Sequence, residues 1–418
     1  MNRDQIVDVL ANATDPGSEN HERAVSERKK WKARADLAEV FFAHRLAEPV
    51  AAVLNAQDEL SAEAGFIVHR DNGWSGFDGD TVASALVSRV RAGQSPAEAV
   101  QWLERVLQTT KAEGLCVLAT WGVSLRDKIA FDNGVDVLPF EDLPDSPFKS
   151  LVLRDRDLAT MASLVPLPFL RPPEAALTLR VTMDPAISNR RYGNPPVRDD
   201  AGREYTLLSE VLLALTPIGP CAAMPAGYWF QYTDPDLTDA LFLVGWTLPT
   251  PDILPAVFPK PHPLDPEETK RIVSAYLRLE PGLRRRAQVA LQRLNQAIRR
   301  LRFGDKAAEI SIALEALLID EPGEHNHKVG LRAALLLGGD SETRIRHRSI
   351  IGGLYKARSA LMHGGQESDE INLKVIGKLP RETIADEGIR ICAAVIRRTI
   401  ELGSIPDWYK IELGVEGS

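Results

Sequence analysis

The sequence predicts an α+β N-terminal part followed by an all-α helical bundle, with the change at a proline-rich stretch. Residues 249–266 contain seven prolines in 18 positions, and proline both lacks a backbone donor and disfavours helix at the preceding residue. Before this stretch helical spacing alternates with short apolar runs, and after it the apolar residues step only by three or four. We therefore expect a mainly helical region with a few strands at 1–150, an α+β segment at 151–250 that could share its domain, a linker at 251–266 and a bundle at 267–418.

The N-terminal part alternates helix and strand patterns. Helices are predicted at 20–48, 80–93 and 96–112, the last beginning at Ser95 and Pro96, which suit a helix start. Strands are expected at 115–125, 135–140, 175–184 and 227–234, with a helix at 205–215. The expected inward residues are Trp31, Leu37 and Phe41 in the first helix, and Ala97, Val100, Leu103, Val106 and Leu107 in the third.

The C-terminal part shows only helical spacing. Asp265 as a capping acid, Pro266 at the first position and acids in the first turn predict a helix start. A short apolar segment at 329–339 separates the central helices of the expected bundle. The expected inward residues are Leu283, Ala287, Leu291, Leu294, Ile298 and Leu301 in one helix, Ile310, Ala313, Leu314, Leu317 and Leu318 in the next, Ile350, Leu354, Ala357 and Leu361 in a later one, and Ile389, Cys392, Ile396 and Ile400 in the last.

Composition and charge narrow the class of protein. No run in the 418 residues reaches the roughly 18 apolar residues of a membrane span. The N-terminus lacks the pattern of a signal peptide, and the three cysteines stand singly, so we expect a cytoplasmic protein without disulfides. The net charge is −8, yet residues 267–418 contain 25 Lys and Arg against 21 Asp and Glu. This mild basic excess is compatible with a polyanionic partner.

The segment IIGGLYKARSALMHGG, at residues 350–365, carries the strongest chemical signal. It places Arg358 and His363 at R-x4-H spacing, with Tyr355 and Ser359 nearby. An arginine can hold a phosphate bidentately, and a histidine exchanges protons near neutral pH. Together these two residue types can cut RNA without a metal. The spacing alone also occurs by chance, in which case Arg358 would be a surface ion-pair partner and His363 a helix C-terminal histidine.

Glycines flank this pair and favour the functional interpretation. Gly352 and Gly353 lie within the predicted helix at a cost of about 1 kcal/mol each relative to alanine, which suggests close packing, for instance across a dimer interface. Two more glycines follow His363 and end the helix there. On an ideal helix Arg358 and His363 would lie about 140° apart, so a site shared by two copies is geometrically attractive.

Other polar residues have weaker claims. Glu315 lies in an apolar helix, and we expect it to form a structural salt bridge with an arginine such as Arg332. His325 and His327 suggest a metal at first sight, but nothing nearby completes a site, so we expect a solvated loop and no metal. The arginine runs at 284–286 and 299–300 are expected to be solvated faces, although they could also guide an RNA backbone.

Three segments resemble the Apea-like branch of the HEPN superfamily (higher eukaryotes and prokaryotes nucleotide-binding). They are DKAAEISIALEALLID at 305–320, VGLRAALLLGG at 329–339 and LYKARSALMHGG at 354–365. The first places Glu315 in an acid-ended, alanine-rich helix, and the third has the branch's Y-x-x-R-S-x-x-x-H-G signature. The resemblance covers about 267–402, a third of the chain, and does not extend to residues 1–250.

The resemblance implies a five-helix bundle that dimerises and forms a composite RNase site without metal or cofactor. Arg358 would hold the scissile phosphate, His363 would act as general acid or base, Ser359 would orient a phosphate oxygen and Tyr355 could stack on a base or pack in the bundle. Such proteins are commonly toxins or abortive-infection effectors in antiviral defence. The expected partners are therefore tRNA or mRNA, a second copy bound through the bundle, and a phage-derived trigger at the N-terminal part.

Two alternatives remain open. A non-catalytic HEPN module would bind RNA or a nucleotide and dimerise without cleaving. A plain helical interaction domain would carry the Arg358–His363 spacing by accident, with the histidine far from any second copy. The dimer interface separates these alternatives, because the enzyme needs two such pairs at one basic cleft.

Overall fold

The computed structural model divides the chain into two compact units, which are described separately. The first contains Met1–Val117, Arg180–Glu204 and Trp229–Thr247, and the second contains Leu118–Leu179, Tyr205–Tyr228 and Leu248–Ser418. The structure describes residues 1–30, 35–57, 60, 64–68, 74–76, 78–146, 148–150, 152–153, 172–183, 186–189, 202–240, 262–320, 325–362 and 369–415. Most of the predicted linker, residues 251–261, lies outside these ranges.

The first unit is mainly helical. Ser95 begins one of its helices with a reciprocal capping box that involves Glu98. A three-stranded antiparallel sheet, which the sequence did not predict, has the strand order β2-β1-β7. The described elements are α1 (Arg3–Thr14), α2 (Glu19–Lys30), α3 (Ala35–Asn55), β1 (Ala64–Val68), β2 (Trp74–Gly76), α4 (Gly79–Arg91), α5 (Pro96–Gln108), β7 (Ala186–Asn189) and α7 (Pro235–Ala240).

Two inward positions predicted for this unit are wrong. In α3 the buried residues Phe42, Leu46 and Val50 are four apart, so Phe41 points away from them and is 37% exposed. In α5 the burial begins at Ala99, which leaves Ala97 exposed in the first turn. The side chains of Trp31 and Leu37 lie outside the described part of the chain.

A five-stranded sheet has the strand order β4-β5-β6-β3-β8. Strand β5 pairs antiparallel with both β4 and β6, and Val137 lies opposite Ile129 on one side and Leu177 on the other. Strand β3 is buried along almost its whole length, as expected for an interior strand. The four predicted strands are thus confirmed. Their bounds are β3 (Ala112–Trp121), β5 (Val135–Pro139), β6 (Ala175–Met183) and β8 (Met224–Tyr232), and β4 is Ile129–Ala130.

The second unit also contains the C-terminal helices, so the predicted α+β part followed by a helical region is confirmed. Asp265 caps its helix by accepting from the Glu268 amide at 2.8 Å. Buried apolar residues of α9, α10 and α13 pack together in the core. The helices of this unit are α6 (Arg203–Ala214), α8 (Pro266–Leu277), α9 (Pro281–Arg299), α10 (Phe303–Leu318), α11 (His325–Leu337), α12 (Ser341–Met362), α13 (Arg381–Leu402) and α14 (Trp408–Glu412); Arg203 and Glu204 belong to the first unit.

The C-terminal part departs from the all-helical prediction in two places. A β-hairpin of β9 (Glu370–Leu373) and β10 (Gly377–Pro380) precedes α13, and Gly377 adopts the positive φ of its turn. Leu301, expected to point inward, is 81% exposed. The reason is that α9 ends at Arg299, so Leu301 lies in the connection to α10.

The two glycines of α12 have different surroundings. A Cβ at Gly353 would lie 2.9 Å from Leu373 of the hairpin, so the close packing expected here comes from the same chain. Among the residues that the structure describes, a Cβ at Gly352 would meet nothing within 4 Å. Gly352 therefore lies beside open space in a single chain, where a second copy has room to approach.

Two further properties concern membrane-spanning helices and the cysteines. Among the described residues, no helix combines the length and apolar character needed to cross a membrane. Cys116, Cys221 and Cys392 are buried, and none forms a disulfide. Burial raises the pKa of the Cys221 thiol to about 12 and raises that of Cys392 as well.

We expect Gly352→Ala to stabilise the chain by about 0.5–1 kcal/mol, because alanine is the better helix former and its methyl group enters open space. Chemical denaturation at low protein concentration measures this change. The matched control is Gly122→Ala, which should lower stability by more than about 1 kcal/mol. Gly122 has a φ of +77°, and its Cβ would lie 2.1 Å from the Ala222 carbonyl oxygen. A loss of stability in Gly352→Ala would contradict the open environment of this residue.

Candidate functional site

Four polar side chains from three helices meet in the second unit around the carboxylate of Glu315. Arg358 Nη1 donates to Glu315 Oε1 at 2.6 Å, and the Tyr355 hydroxyl donates to the same oxygen at 2.7 Å. His325 Nδ1 lies 3.9 Å from this oxygen. We call Glu315, His325, Tyr355 and Arg358 the carboxylate cluster. It joins a carboxylate, a guanidinium, a phenol and an imidazole.

The helices explain why these residues meet. Tyr355 and Arg358 are three apart on α12 and therefore share one face. Glu315 lies in the last turn of α10, and His325 is the first residue of α11. The Arg358 guanidinium also lies 5.8 Å from the centre of the Tyr355 ring, within range of a cation–π contact. The cluster is consequently built where one helix ends and the next begins.

Burial differs within the cluster and sets what each group can do. The Glu315 side chain is 20% exposed, and that of Arg358 is 33% exposed. Burial raises the pKa of Tyr355, and its hydrogen bond to the Glu315 carboxylate raises the pKa further. Tyr355 therefore stays protonated and serves as a donor at neutral pH. Arg358 is the member of this ion pair that is more open to a ligand.

Glu315 forms a salt bridge with an arginine, as expected, but Arg332, the arginine named for this role, is not its partner. Arg332 instead donates to the Leu318 carbonyl at 2.7 Å and to Glu412 at 2.8 Å. Its guanidinium also lies 5.1 Å from the Trp408 ring centre. The partner of Glu315 is Arg358, so the expected structural carboxylate lies at the proposed catalytic arginine.

His325 and His327 are not in a loop, which corrects a second prediction. Both lie in the first turn of α11, and His327 Nδ1 is 3.2 Å from Arg348 Nη2. In the part of the chain that the structure describes, no group of three or more His, Cys, Asp or Glu residues is placed to hold a metal ion. The sequence analysis did not place His325 near the site. The available signal was its position in the short connection after the helix that contains Glu315.

The remaining predicted site residues lie at the end of α12. Ser359 is exposed beside Arg358. The helix ends at Met362, and His363 lies outside the described residues, as do the two glycines after it. The structure therefore describes Tyr355, Arg358 and Ser359 of the predicted site, whereas His363 lies outside the described residues.

The arginine runs serve mainly as structural partners, not as free solvated charge. Arg284 pairs with Glu210, and Arg300 pairs with Glu309 at 2.9 Å. Arg286 donates to the carbonyls of Ala316, Leu317 and Ile319 at the end of α10. Of the 284–286 run, Arg285 remains exposed. Most of these arginines are therefore already paired within the protein, so these runs present less unpaired positive charge to RNA than the sequence suggests.

Comparison of the chain with models of protein families, with curated proteins and with solved structures gave no match. The chemical interpretation therefore depends on the carboxylate cluster and on the residues around it.

We expect Tyr355→Phe to lower the free energy of unfolding at pH 7 by about 1–2 kcal/mol, because a hydrogen bond to a carboxylate is lost. Since the folded-state pKa of Tyr355 is raised, its contribution is fully present below about pH 10, the unfolded value, and is lost as pH rises above it. The variant should therefore lose less stability than the wild type above pH 10. Urea denaturation across pH 7–11 measures both effects.

The control for this variant is Tyr409→Phe, since Tyr409 is 75% exposed. It should match the wild type in stability at pH 7. Equal behaviour of the two variants at all pH values would contradict the role of the Tyr355–Glu315 hydrogen bond.

Proposed function

We propose that the chain is a metal-independent endoribonuclease in which Arg358 binds the scissile phosphate and His363 transfers protons. The observation that supports this proposal most is the exposure and orientation of the Arg358 side chain. The Arg358 side chain is 33% exposed, and its guanidinium is held by Glu315. Arg358 lies five residues before His363 in the sequence. An arginine oriented by a carboxylate is ready to receive a phosphate without losing side-chain freedom on binding.

The chemistry requires no metal. The ribose 2′-oxygen attacks the adjacent phosphorus and the bond to the 5′-oxygen breaks, which leaves a 2′,3′-cyclic phosphate and a free 5′-hydroxyl. His363 accepts the proton of the 2′-hydroxyl or donates one to the leaving 5′-oxygen. Arg358 has five N–H donors on three nitrogens, and it contacts Glu315 through Nη1. Its other donors can neutralise charge on the phosphate oxygens in the transition state.

Glu315 is a positioning residue in this proposal, and Tyr355 supports it. The carboxylate fixes the direction of the guanidinium, while the Tyr355 hydroxyl fixes the carboxylate. Ser359, exposed next to Arg358, can donate to a phosphate oxygen. His325, 3.9 Å from Glu315, can add positive charge to the cluster when protonated.

The biological role in this proposal rests on the HEPN resemblance alone. It is an antiviral or toxin-type effector that acts on tRNA or mRNA in the cytoplasm, with a trigger bound by the N-terminal part. A second candidate is a non-catalytic module that binds RNA or a nucleotide and dimerises. The ion pair between Arg358 and Glu315 favours this non-catalytic module, because an arginine that already has a carboxylate partner can serve the fold alone.

Cleavage of bulk tRNA and of a synthetic RNA in EDTA, with end-group analysis, tests the proposal. We expect the wild type to leave 2′,3′-cyclic phosphates, and His363→Ala and Arg358→Ala to lose about 100-fold or more of the rate. The matched controls are His262→Ala and Arg285→Ala, which replace exposed residues elsewhere and should cleave like the wild type.

Two outcomes would contradict the enzyme. Equal cleavage by wild type and His363→Ala would place the activity elsewhere. Saturable RNA binding without cleavage, lost in Arg358→Ala, would favour the non-catalytic module instead.

We also expect the specific activity to fall on dilution, because the proposed site is completed by a second copy. Arg358 and a residue five positions later are about 140° apart on an ideal helix, and Gly352 on the same helix lies beside open space. Activity and sedimentation measured over a hundredfold range of protein concentration should change together. Constant specific activity in a sample that sediments as a monomer would rule out the shared site.

A further inference from the structure

A cleft with a volume of about 450 Å³ lies within the second unit, and no residue of the carboxylate cluster lines it. One wall is α6, the other is α9, and Ala223, Met224 and Pro225 form part of its lining. This volume lies in the range of about 300–1,000 Å³ that is usual for small-molecule sites. Neither the proposed cleavage reaction nor the sequence motifs account for it.

The α9 wall is a line of carboxamides. Gln292 lies four residues after Gln288, and Asn295 and Gln296 lie three and four residues after Gln292. The four side chains therefore share one side of the helix. The adjoining stripe, which includes Leu291 and Leu294, is buried in the core. Each carboxamide offers donors and an acceptor without net charge. A surface helix would more often present charged side chains at such positions.

Asn295 has a fixed orientation in this wall. It is 6% exposed, and its Nδ2 donates to Thr216 Oγ1 at 3.3 Å and to the Ala223 carbonyl at 2.8 Å. Both N–H donors are therefore used. Among the described residues no donor forms a hydrogen bond with its Oδ1, and Asn295 lines the cleft. The acceptor of Asn295 is thus set in place for a donor from a ligand.

The α6 wall adds an aromatic ring and a hydroxyl. The Tyr205 ring packs edge-on against Tyr228, with the ring centres 5.0 Å apart, so its orientation is also defined. Within the described ranges, neither the Tyr205 hydroxyl nor Ser209 Oγ has a hydrogen-bond partner. This wall therefore offers a half-exposed ring together with polar groups that the protein itself does not use.

Charge in the cleft is nearly balanced. The Glu210 carboxylate pairs with Arg284, so it does not present a free negative charge to a ligand. Arg299 lies among the lining residues, and its Nη1 is 3.5 Å from Met224 Sδ. The cleft consequently suits a planar neutral group with several donors and acceptors more than it suits a metal, a strongly charged ion or an aliphatic chain.

We propose that this cleft binds a nucleobase, carried either by a free nucleotide or by an RNA strand. A carboxamide pairs bidentately with the amino and ring-nitrogen edge of adenine, and a base can stack on a tyrosine ring. Gln288 and Gln292 read the base edge, the Asn295 oxygen accepts one of its N–H groups, and Tyr205 covers a face of the ring. The inference does not depend on RNA cleavage.

Binding to the 418-residue chain tests the cleft with ligands that cannot be cleaved. The four nucleoside 5′-monophosphates are titrated calorimetrically, and an eight-residue 2′-O-methyl RNA is titrated by fluorescence anisotropy. The test variant is the double substitution Gln288→Ala and Gln292→Ala. Its matched control is Gln101→Ala with Gln108→Ala, two exposed glutamines of α5. All titrations are repeated in the Arg358→Ala background, so that the proposed cleavage site does not contribute.

We expect saturable binding of a monophosphate or of the RNA, weakened about tenfold or more by the cleft variant and unchanged by the control. Binding of a free monophosphate identifies a nucleotide as the ligand, whereas binding of the RNA alone identifies a base within a strand. The proposal is overturned if neither ligand binds at millimolar concentration, or if the cleft variant binds as tightly as the wild type.

Discussion

The ion pair between Glu315 and Arg358 is the interaction on which the candidate site depends. A carboxylate in an otherwise apolar helix costs free energy unless charge and hydrogen bonds compensate for it. Here a guanidinium and a phenol do so together, and both come from α12. The pair thus joins two helices and determines where Arg358 points. Removing either member would leave a partly buried charge without its partner.

Two other arginines keep this carboxylate in place. Arg286 donates to three carbonyls at the C-terminal end of α10, and Arg332 donates to a fourth, that of Leu318. The end of a helix has unsatisfied carbonyls and a partial negative charge, so guanidinium groups from α9 and α11 stabilise it. Because Glu315 lies in this last turn, its position is defined from three neighbouring helices. Basic residues that look like an RNA-binding surface in the sequence therefore act largely within the fold.

Local signals predicted the elements well, and tertiary partners were harder to predict. The cap at Asp265, the helix start at Ser95 and the apolar spacing from Ile310 to Leu318 each depend on residues close together in the sequence. The partner of Glu315 could not be predicted in this way, since it is distant in the sequence and Arg332 and Arg358 are equally suitable by charge. Only the packing of α12 against α10 selects Arg358. The hairpin before α13 was missed because its strands are four residues each, too short for a clear alternation.

The same limit applies to the two proposed sites. The Arg358–His363 spacing is visible in the sequence because both residues lie in one segment. The cleft is not visible in the sequence, because Tyr205 and Gln288 are far apart in the chain and line the same cleft only when α6 lies beside α9. A row of carboxamides on one helix does not form a binding site unless a second element lies opposite to it. Sites formed by one short segment of the sequence can thus be found by motif, and sites formed between distant helices require the fold.

The burial of all three cysteines has a practical consequence for labelling. The thiolate is the reactive form, and burial disfavours it at Cys221 and Cys392. Cys116 is buried as well, so the folded wild-type chain should react slowly with thiol reagents. It can serve as its own background for introduced cysteines. A single cysteine at exposed Ser359 would then be the accessible attachment point for a spin label or a crosslinker, and it would report on the approach of another molecule to this end of α12.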